Sequence, residues 1–181
     1  MATFDPNQWY RVTTGIDVNP GLAMDGTSLY HAGRGSVLFK LTDTTDSEEQ
    51  WQIFPVNDST YILRTKASGP GGFLGASYSA NETEPGNTRP RMANLTLSDK
   101  TMYWSFTSAG NGLFFMSNEQ NGTGWRLHMK ETGLMSISGN TTATQNEQGF
   151  MFKEIGPIDN GEFSSLNVSR LVMDSGFGLV C

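Results

Sequence analysis

The sequence predicts an all-β protein made of three similar units, each with four short strands and little helix. A large aromatic residue recurs at similar intervals in a strand-like setting, at Trp51, Trp104 and Phe150. Gly contributes 21 of the 181 residues and punctuates short apolar stretches, as in turn-rich sheet proteins. No stretch shows a sustained helical apolar period between caps. These observations favour an all-β fold with an internal repeat.

Two further markers recur in the same order as these aromatic residues. An aromatic residue opens a strand-like segment (YRVTTG, YILRTK and FFMSNE) at Tyr10, Tyr61 and Phe114. A glycine opens the next segment (GLAMD, GFLGA and GWRLH) at Gly21, Gly72 and Gly124. Three markers that keep their order through three copies indicate a repeat rather than a chance match.

The first repeat junction shows how the strands are assigned. In EEQWQIFPVNDSTYILRTK, Trp51 and Ile53 alternate with polar Gln52, and a second alternating stretch opens at Tyr61. Alternation with period two is typical of a strand, and Asn-Asp-Ser between two such stretches is typical of a turn. This segment is therefore predicted to be a hairpin.

The same criteria place four strands in every unit, separated by turns such as SGPGG and NEQNGTG. The predicted strands are at about 9–14, 21–25, 36–42 and 50–56, then 60–65, 72–78, 89–97 and 102–107, then 113–118, 124–130, 133–138 and 148–154. A four-stranded unit cannot bury its apolar face alone. We therefore expect three units to close around a shared axis, which also removes exposed sheet edges.

The chain length suits one domain with one core. We place this domain at residues 1–157, with repeats at about 8–57, 58–109 and 110–157. Trp51, Trp104 and Phe150 should meet near the axis and be buried. Residues 158–181 form a polar C-terminal tail that we expect to be poorly ordered.

The charge balance argues against nucleic acid as a partner. The chain has 12 Lys and Arg against 18 Asp and Glu, a net charge of −6, so the basic footprint of a nucleic-acid-binding protein is missing. No apolar run approaches the length of a membrane span. The N-terminus lacks the basic and apolar regions of a signal peptide. We expect no membrane insertion by this chain itself.

Asparagine sequons favour an extracellular protein or a membrane-anchored ectodomain. N-linked glycans are added in the secretory pathway at N-x-S/T triplets, which occur here at Asn57, Asn81, Asn94, Asn121, Asn140 and Asn167. The only cysteine is Cys181, so no intrachain disulfide can form. Because disulfides are rare in reducing compartments, a cytoplasmic location stays open as the alternative.

The repeat resembles that of the ricin B-type β-trefoil lectins. The resemblance rests on YRV, on the glycine-led second strands and on Gln/Trp-like fourth strands, and it covers about residues 8–156. Residues 48–76 are especially similar to the repeat junction of that family. The resemblance implies a β-trefoil of twelve strands. Some related fungal domains are ectodomains that continue into a membrane anchor, so a longer native chain is one expectation.

In that family each repeat can hold one shallow sugar site. An Asp on the second strand accepts hydrogen bonds from sugar hydroxyls, and an aromatic ring stacks on the sugar. The resemblance places Asp25 at the Asp position in the first repeat, and Ala76 and His128 there in the other two. Only the first repeat therefore keeps a carboxylate.

The first repeat supplies the main candidate carbohydrate site, formed by Asp25, Tyr30, His31, Glu48 and Glu49. The alternative for Asp25 is a solvated turn residue, and in both interpretations its side chain is expected to be exposed.

The third repeat supplies a weaker candidate. Trp125 lies beside His128 there, and either residue could contact a sugar. The alternative for Trp125 is a residue of the core.

The sequence predicts no catalytic site, metal site or cofactor. The acidic segment DTTDSEE lacks the spacing of an EF-hand loop. Neither His31 nor His128 accompanies a catalytic triad pattern or an H-E-x-x-H motif. No pair of carboxylates stands out for glycoside hydrolysis.

We therefore expect a monomeric, lectin-like module that binds glycans or glycoproteins weakly through its first repeat. The alternative is a trefoil that has lost its sugar site and acts as a protein-interaction domain or protease inhibitor. The segment 79–91 is the longest predicted loop for such a contact.

Overall fold

The computed structural model describes residues 2–15, 21–76, 88–96, 98–142 and 146–164. Within these ranges the chain forms twelve strands and one short helix, α1 (Gly161–Ser164). The strands are β1 (Gln8–Thr14), β2 (Leu22–Gly26), β3 (Arg34–Leu41), β4 (Trp51–Pro55), β5 (Thr60–Thr65), β6 (Gly72–Gly75), β7 (Arg91–Asn94), β8 (Trp104–Gly110), β9 (Leu113–Asn118), β10 (Arg126–Met129), β11 (Met135–Ser138) and β12 (Phe150–Pro157). The all-β prediction is confirmed.

Six of the strands close into a barrel. Antiparallel pairing runs through β1, β4, β5, β8, β9 and β12, and β12 returns to β1 over the whole length of that strand. The other six strands form three hairpins, β2–β3, β6–β7 and β10–β11. Each repeat thus contributes two barrel strands and one hairpin, which is the arrangement of a β-trefoil.

The repeated large aromatic residues lie in the barrel core. Trp51, Trp104 and Phe150 are completely buried, as predicted. The indole Nε1 of Trp51 donates to the Met24 carbonyl at 2.7 Å, and that of Trp104 donates to the Leu74 carbonyl at 2.9 Å. The two indoles therefore bind equivalent carbonyl groups on β2 and β6, which supports the repeat and satisfies both buried N–H groups.

A second aromatic cluster fills the barrel around Phe4. Its ring lies 5.4 Å from Tyr10 and 5.5 Å from Tyr61, both edge-on. It also contacts Phe106, Phe114 and Phe152. The Tyr61 hydroxyl donates to the Ala2 carbonyl at 2.7 Å, so the N-terminal segment is fixed in the barrel by packing and by hydrogen bonding.

The segment after the barrel packs against it for at least seven residues. The predicted boundary at residue 157 separates the domain from a poorly ordered tail, yet Phe163 is only 2% exposed. Its ring meets Trp9 edge-on at 5.0 Å. The folded unit therefore extends to residue 164, and residues 165–181 of the predicted tail lie outside the described residues.

Candidate functional site

The first repeat gathers three carboxylates around one ammonium group. The Lys40 Nζ lies 3.0 Å from Glu48 Oε2 and 3.1 Å from Asp46 Oδ2, and it also contacts Asp25 Oδ2. Asp25 is completely buried, whereas the Lys40 side chain is 38% exposed. Lys40 therefore covers Asp25 and can direct its three N–H donors at three carboxylates. We call these four residues the Lys40 cluster.

The prediction that Asp25 is exposed is wrong. On β2, Asp25 lies opposite Leu38 of β3, and Lys40 follows two residues later on the same face. Opposite and diagonal side chains on neighbouring strands lie within reach of each other. The lysine of β3 thus folds over the aspartate of β2. Asp25 holds Lys40 and is not available to accept hydrogen bonds from a sugar.

Glu49 is also a structural residue, which contradicts its place in the predicted site. It is completely buried. Its carboxylate accepts from Arg11 Nε at 2.9 Å, from Thr42 Oγ1 at 2.7 Å and from the Asp43 backbone N–H at 2.6 Å. Glu49 therefore fixes the loop that follows β3 onto β1. The position of Glu49 next to Glu48 in the sequence does not reveal this role, because the two side chains lie in different environments.

Asp46 and Glu48 are the carboxylates that solvent can reach. Their side chains are 25% and 26% exposed. The Glu48 carbonyl accepts the Gly26 N–H at 3.0 Å, and the Asp46 carboxylate accepts the Glu48 N–H at 2.9 Å. The loop thus presents both carboxylates at fixed positions beside Lys40. Asp46 was not among the predicted site residues, although it belongs to the acidic segment DTTDSEE.

Tyr30 and His31 lie at the turn of the β2–β3 hairpin. Both are exposed, Tyr30 to 53%. The Tyr30 hydroxyl hydrogen-bonds Ser36 Oγ at 2.7 Å, and its N–H donates to the Arg34 carbonyl. Among the described residues no hydrogen bond or ion pair joins either ring to the Lys40 cluster. The structure therefore brings Asp25 and Glu48 together and leaves Tyr30 and His31 on the hairpin turn.

The charges of the cluster stabilise one another. Burial opposes the charge on Lys40, but the hydrogen bonds that Lys40 donates to Glu48 and Asp46 outweigh it and raise the pKa of the ammonium group. The hydrogen bond from the Glu48 N–H, followed by that from Lys40, lowers the pKa of Asp46. Lys40 and Asp46 are therefore both held in their charged forms.

The same carboxylates are close enough to suggest a cation site. One oxygen from each of Asp25, Asp46 and Glu48 lies within 4.8 Å of the others. Lys40 already supplies a positive charge between them. The arrangement is best described as an ion-pair cluster whose cation is a lysine.

The second repeat has no acceptor at the position of Asp25. Leu74 is equivalent to Met24 because each accepts the indole N–H of its repeat. The residue after Leu74 is Gly75, so Gly75 corresponds to Asp25, and the assignment of Ala76 is off by one position. A Cβ at Gly75 would lie 2.8 Å from Leu95 Cδ1, which leaves little room for a side chain.

The third repeat places His128 at the equivalent position. It lies opposite Ser136 on β11 and is half-buried. Burial lowers the pKa of His128, and its Nδ1 has no hydrogen-bond partner in the part of the chain that the structure describes. Trp125 is half-buried and packs against the core, which agrees with the alternative interpretation of that residue. This repeat offers an imidazole but no carboxylate.

The sequons differ in the accessibility of their amides. Asn57, Asn94 and Asn140 are exposed. The Asn121 side-chain amide is buried at both its nitrogen and its oxygen, which argues against Asn121 as a glycosylation site although its triplet fits. Its loop is folded so that the backbone N–H groups of Asn121 and Gly122 both donate to the Asn118 carbonyl. Asn81 and Asn167 lie outside the described residues.

Glycan occupancy should follow this accessibility if the chain enters the secretory pathway. The amide nitrogen must reach the transferase, so we expect glycans at Asn57, Asn94 and Asn140 and none at Asn121. Site-specific mass spectrometry of the protein from a secretory eukaryotic host measures each occupancy. Full occupancy at Asn121 would contradict the buried placement of its amide, and a bare polypeptide would favour a cytoplasmic protein.

No family model and no curated protein matches the sequence, whereas the fold is similar to many solved structures. The designed threefold-symmetric protein ThreeFoil is 14% identical with a TM-score of 0.63, covering 83% of this chain and 100% of that one. A salivary protein from Culex quinquefasciatus is 14% identical with a TM-score of 0.62, covering 86% of this chain and 99% of that one. An exo-β-1,3-galactanase from Clostridium thermocellum is 15% identical with a TM-score of 0.62, covering 82% of this chain and 30% of that one.

These likenesses bear on the fold and not on function, because the identities are low. No helix within the described ranges has the length and apolar character needed to cross a bilayer. The chain has the β-trefoil fold. Of the three equivalent positions occupied by Asp25, Gly75 and His128, the one in the first repeat carries a carboxylate, and this carboxylate lies beside Lys40.

Proposed function

We propose that this chain is a non-catalytic carbohydrate-binding module of the ricin B type that binds a glycan weakly through its first repeat. The Lys40 cluster carries the proposal. It presents Asp46 and Glu48 as acceptors beside the positive charge of Lys40 on one partly exposed surface. Sugar hydroxyls can donate to both carboxylates, and a charged partner strengthens each hydrogen bond.

The proposal changes the role of Asp25 within the predicted site. Its buried carboxylate holds the Lys40 ammonium in place, and the sugar contacts fall to Asp46 and Glu48, the two more exposed carboxylates of the cluster. Among the structures similar in fold, the galactanase acts on a sugar polymer, and this chain aligns with 30% of that enzyme. A module of this size attached to a sugar-cleaving enzyme is consistent with glycan binding rather than catalysis.

The expected affinity is low. A few hydrogen bonds on a shallow surface correspond to a dissociation constant on the order of millimolar, or about −4 kcal/mol. Gly75 and His128 occupy the equivalent positions, so the second and third repeats lack this carboxylate. The chain therefore cannot raise its affinity by binding one glycan through several repeats at once.

Replacing Glu48 by Gln should weaken sugar binding about tenfold, because a charged acceptor becomes a neutral one. Chemical shifts of the first repeat, followed during titration with a panel of mono- and disaccharides, measure the change. The matched control is Glu119→Gln, which removes a carboxylate from an exposed ion pair with Lys100. Equal binding by both variants, or shifts centred on Trp125, would move the site to the third repeat.

The second candidate is a protein-interaction domain or protease inhibitor that has lost the sugar site. The burial of Asp25 beneath Lys40 favours it, since the residue that the family uses for sugar is not accessible. Most of the loop expected to make such a contact, residues 79–91, lies outside the described residues. A glycan array and a panel of protease-inhibition assays on the same preparation separate the two functions.

A further inference from the structure

The C-terminal segment is held by a buried arginine that has only neutral hydrogen-bond partners. Arg64 on β5 is 2% exposed. Its Nε donates to Gln52 Oε1 at 2.6 Å, its Nη1 to the Pro70 carbonyl at 2.6 Å and its Nη2 to the Phe163 carbonyl at 2.9 Å. Within the described residues no carboxylate forms an ion pair with this guanidinium.

The Phe163 side chain fills a slot beside this arginine. Its ring lies 4.8 Å from Arg64 Cζ on one side and 5.0 Å from the Trp9 ring on the other. The Gln52 Nε2 donates to the Phe163 carbonyl at 3.0 Å, so two side chains bind the same oxygen. The slot formed by Trp9, Gln52 and Arg64 thus recognises an aromatic ring together with the carbonyl group that follows it.

From this geometry we infer that the Trp9–Gln52–Arg64 slot is a binding site for an aromatic residue that carries a free carboxylate, and that Phe163 keeps the site occupied. A partner of this chemistry is a polypeptide whose last residue is Phe. Its ring would take the place of the Phe163 ring. Its terminal carboxylate would take the place of the Phe163 carbonyl.

The charge of the slot favours a carboxylate over a carbonyl. A buried ion is costly unless it is paired, and a guanidinium binds carboxylate oxygens with two parallel hydrogen bonds. Burial lowers the pKa of Arg64 to about 10, so the group is still charged at neutral pH. The internal ligand offers a single neutral oxygen to Arg64 Nη2 and Gln52 Nε2. An anionic ligand would supply the missing opposite charge.

The internal ligand belongs to the short helix α1. The Ile158 N–H donates to the Asn7 carbonyl at 2.8 Å, and the Asn160 side chain accepts the Glu162 N–H at 3.0 Å. Glu162 is exposed, whereas the Phe163 side chain is buried. Removal of the Phe163 ring should therefore empty the aromatic part of the slot, and a ligand carboxylate then competes with the backbone carbonyl of residue 163 for Arg64 and Gln52.

The test uses the full chain with Phe163→Ala. We titrate it with N-acetylphenylalanine and with N-acetylphenylalaninamide, which differ only in the carboxylate, and follow the Trp9 indole and Arg64 side-chain resonances. We expect the acid to bind about tenfold more tightly than the amide, because its hydrogen bonds with Arg64 are charge-assisted. N-acetylalanine, which has the carboxylate without the ring, should bind more weakly than either.

The wild-type chain is the matched control, because Phe163 should block both compounds. Arg64→Lys in the Phe163→Ala chain keeps the charge and removes the planar fork, so the preference for the acid should shrink. Equal binding of acid and amide by Phe163→Ala, no binding of either, or equal binding by the wild type would overturn the inference. The comparison of acid with amide decides it even if the Arg64 variant fails to fold.

Discussion

Trp104→Ala should lower the free energy of unfolding by about 3–5 kcal/mol, as large-to-small changes of buried aromatic residues do. Trp104 is completely buried, and its indole donates to the Leu74 carbonyl at 2.9 Å. The truncation removes that donor and leaves a cavity in the core. Since a domain of this kind has only about 5–15 kcal/mol of stability, the variant should be marginally folded at room temperature.

Chemical denaturation followed by circular dichroism measures this loss. Tyr30→Ala is the matched control, because Tyr30 is 53% exposed and should change stability by less than about 1 kcal/mol. A Trp104→Ala chain that unfolds at the same denaturant concentration as the wild type would show that the barrel core can be rebuilt without the indole.

The sequence predicted the strands of the barrel because the same physical requirement occurs three times. A large apolar side chain is needed in the core in each repeat, and Trp51, Trp104 and Phe150 fill this position. Strand alternation and polar turns depend on neighbours in the chain, which a single sequence displays. The boundaries of the hairpin strands were less accurate, as for β10, which spans Arg126–Met129 where the prediction covered 124–130.

The candidate site was harder to predict because it depends on contacts between distant residues. Arg64 alternates with Tyr61 and Leu63 as an outward-facing strand residue should, yet Phe163 covers it from 99 positions away. Asp25 precedes a glycine and looks like a turn residue, but Lys40 lies over it. Nothing near either residue in the chain marks its partner. Such burial follows from tertiary packing and not from strand period.

Lys40→Met should destabilise the protein by about 3 kcal/mol at neutral pH. Removing one partner from a buried ion pair typically costs about 3–5 kcal/mol, because the other charge stays buried and unpaired. The lower end applies here, since the Lys40 side chain is 38% exposed. The lost ammonium leaves Asp25, Asp46 and Glu48 with oxygens within 4.8 Å of one another, so repulsion adds to the burial of Asp25.

The double variant Lys40→Met/Asp25→Asn tests this cause. It removes the buried charge together with its partner, so it should be more stable than Lys40→Met alone, and a double-mutant cycle gives the coupling between the two residues. Thermal unfolding at pH 7 measures all four chains. Exposed Lys100→Met is the matched control and should leave stability nearly unchanged. If Lys40→Met unfolds at the same temperature as the wild type, the burial of Asp25 does not depend on its ion pair with Lys40.

The pH dependence of the wild type gives an independent view of the same cluster. The lowered pKa of Asp46 contributes stability that is present above its ordinary value of 3.8 and is lost as the pH falls through the folded-state pKa. The raised pKa of Lys40 contributes stability that is present below its ordinary value of 10.5 and is lost as the pH rises through the folded-state pKa. Between these two pH limits the Lys40 cluster should stabilise the wild type, and it should not stabilise the Lys40→Met variant. The difference in stability between the two chains should therefore shrink on acidification, when the carboxylates left by the variant become neutral.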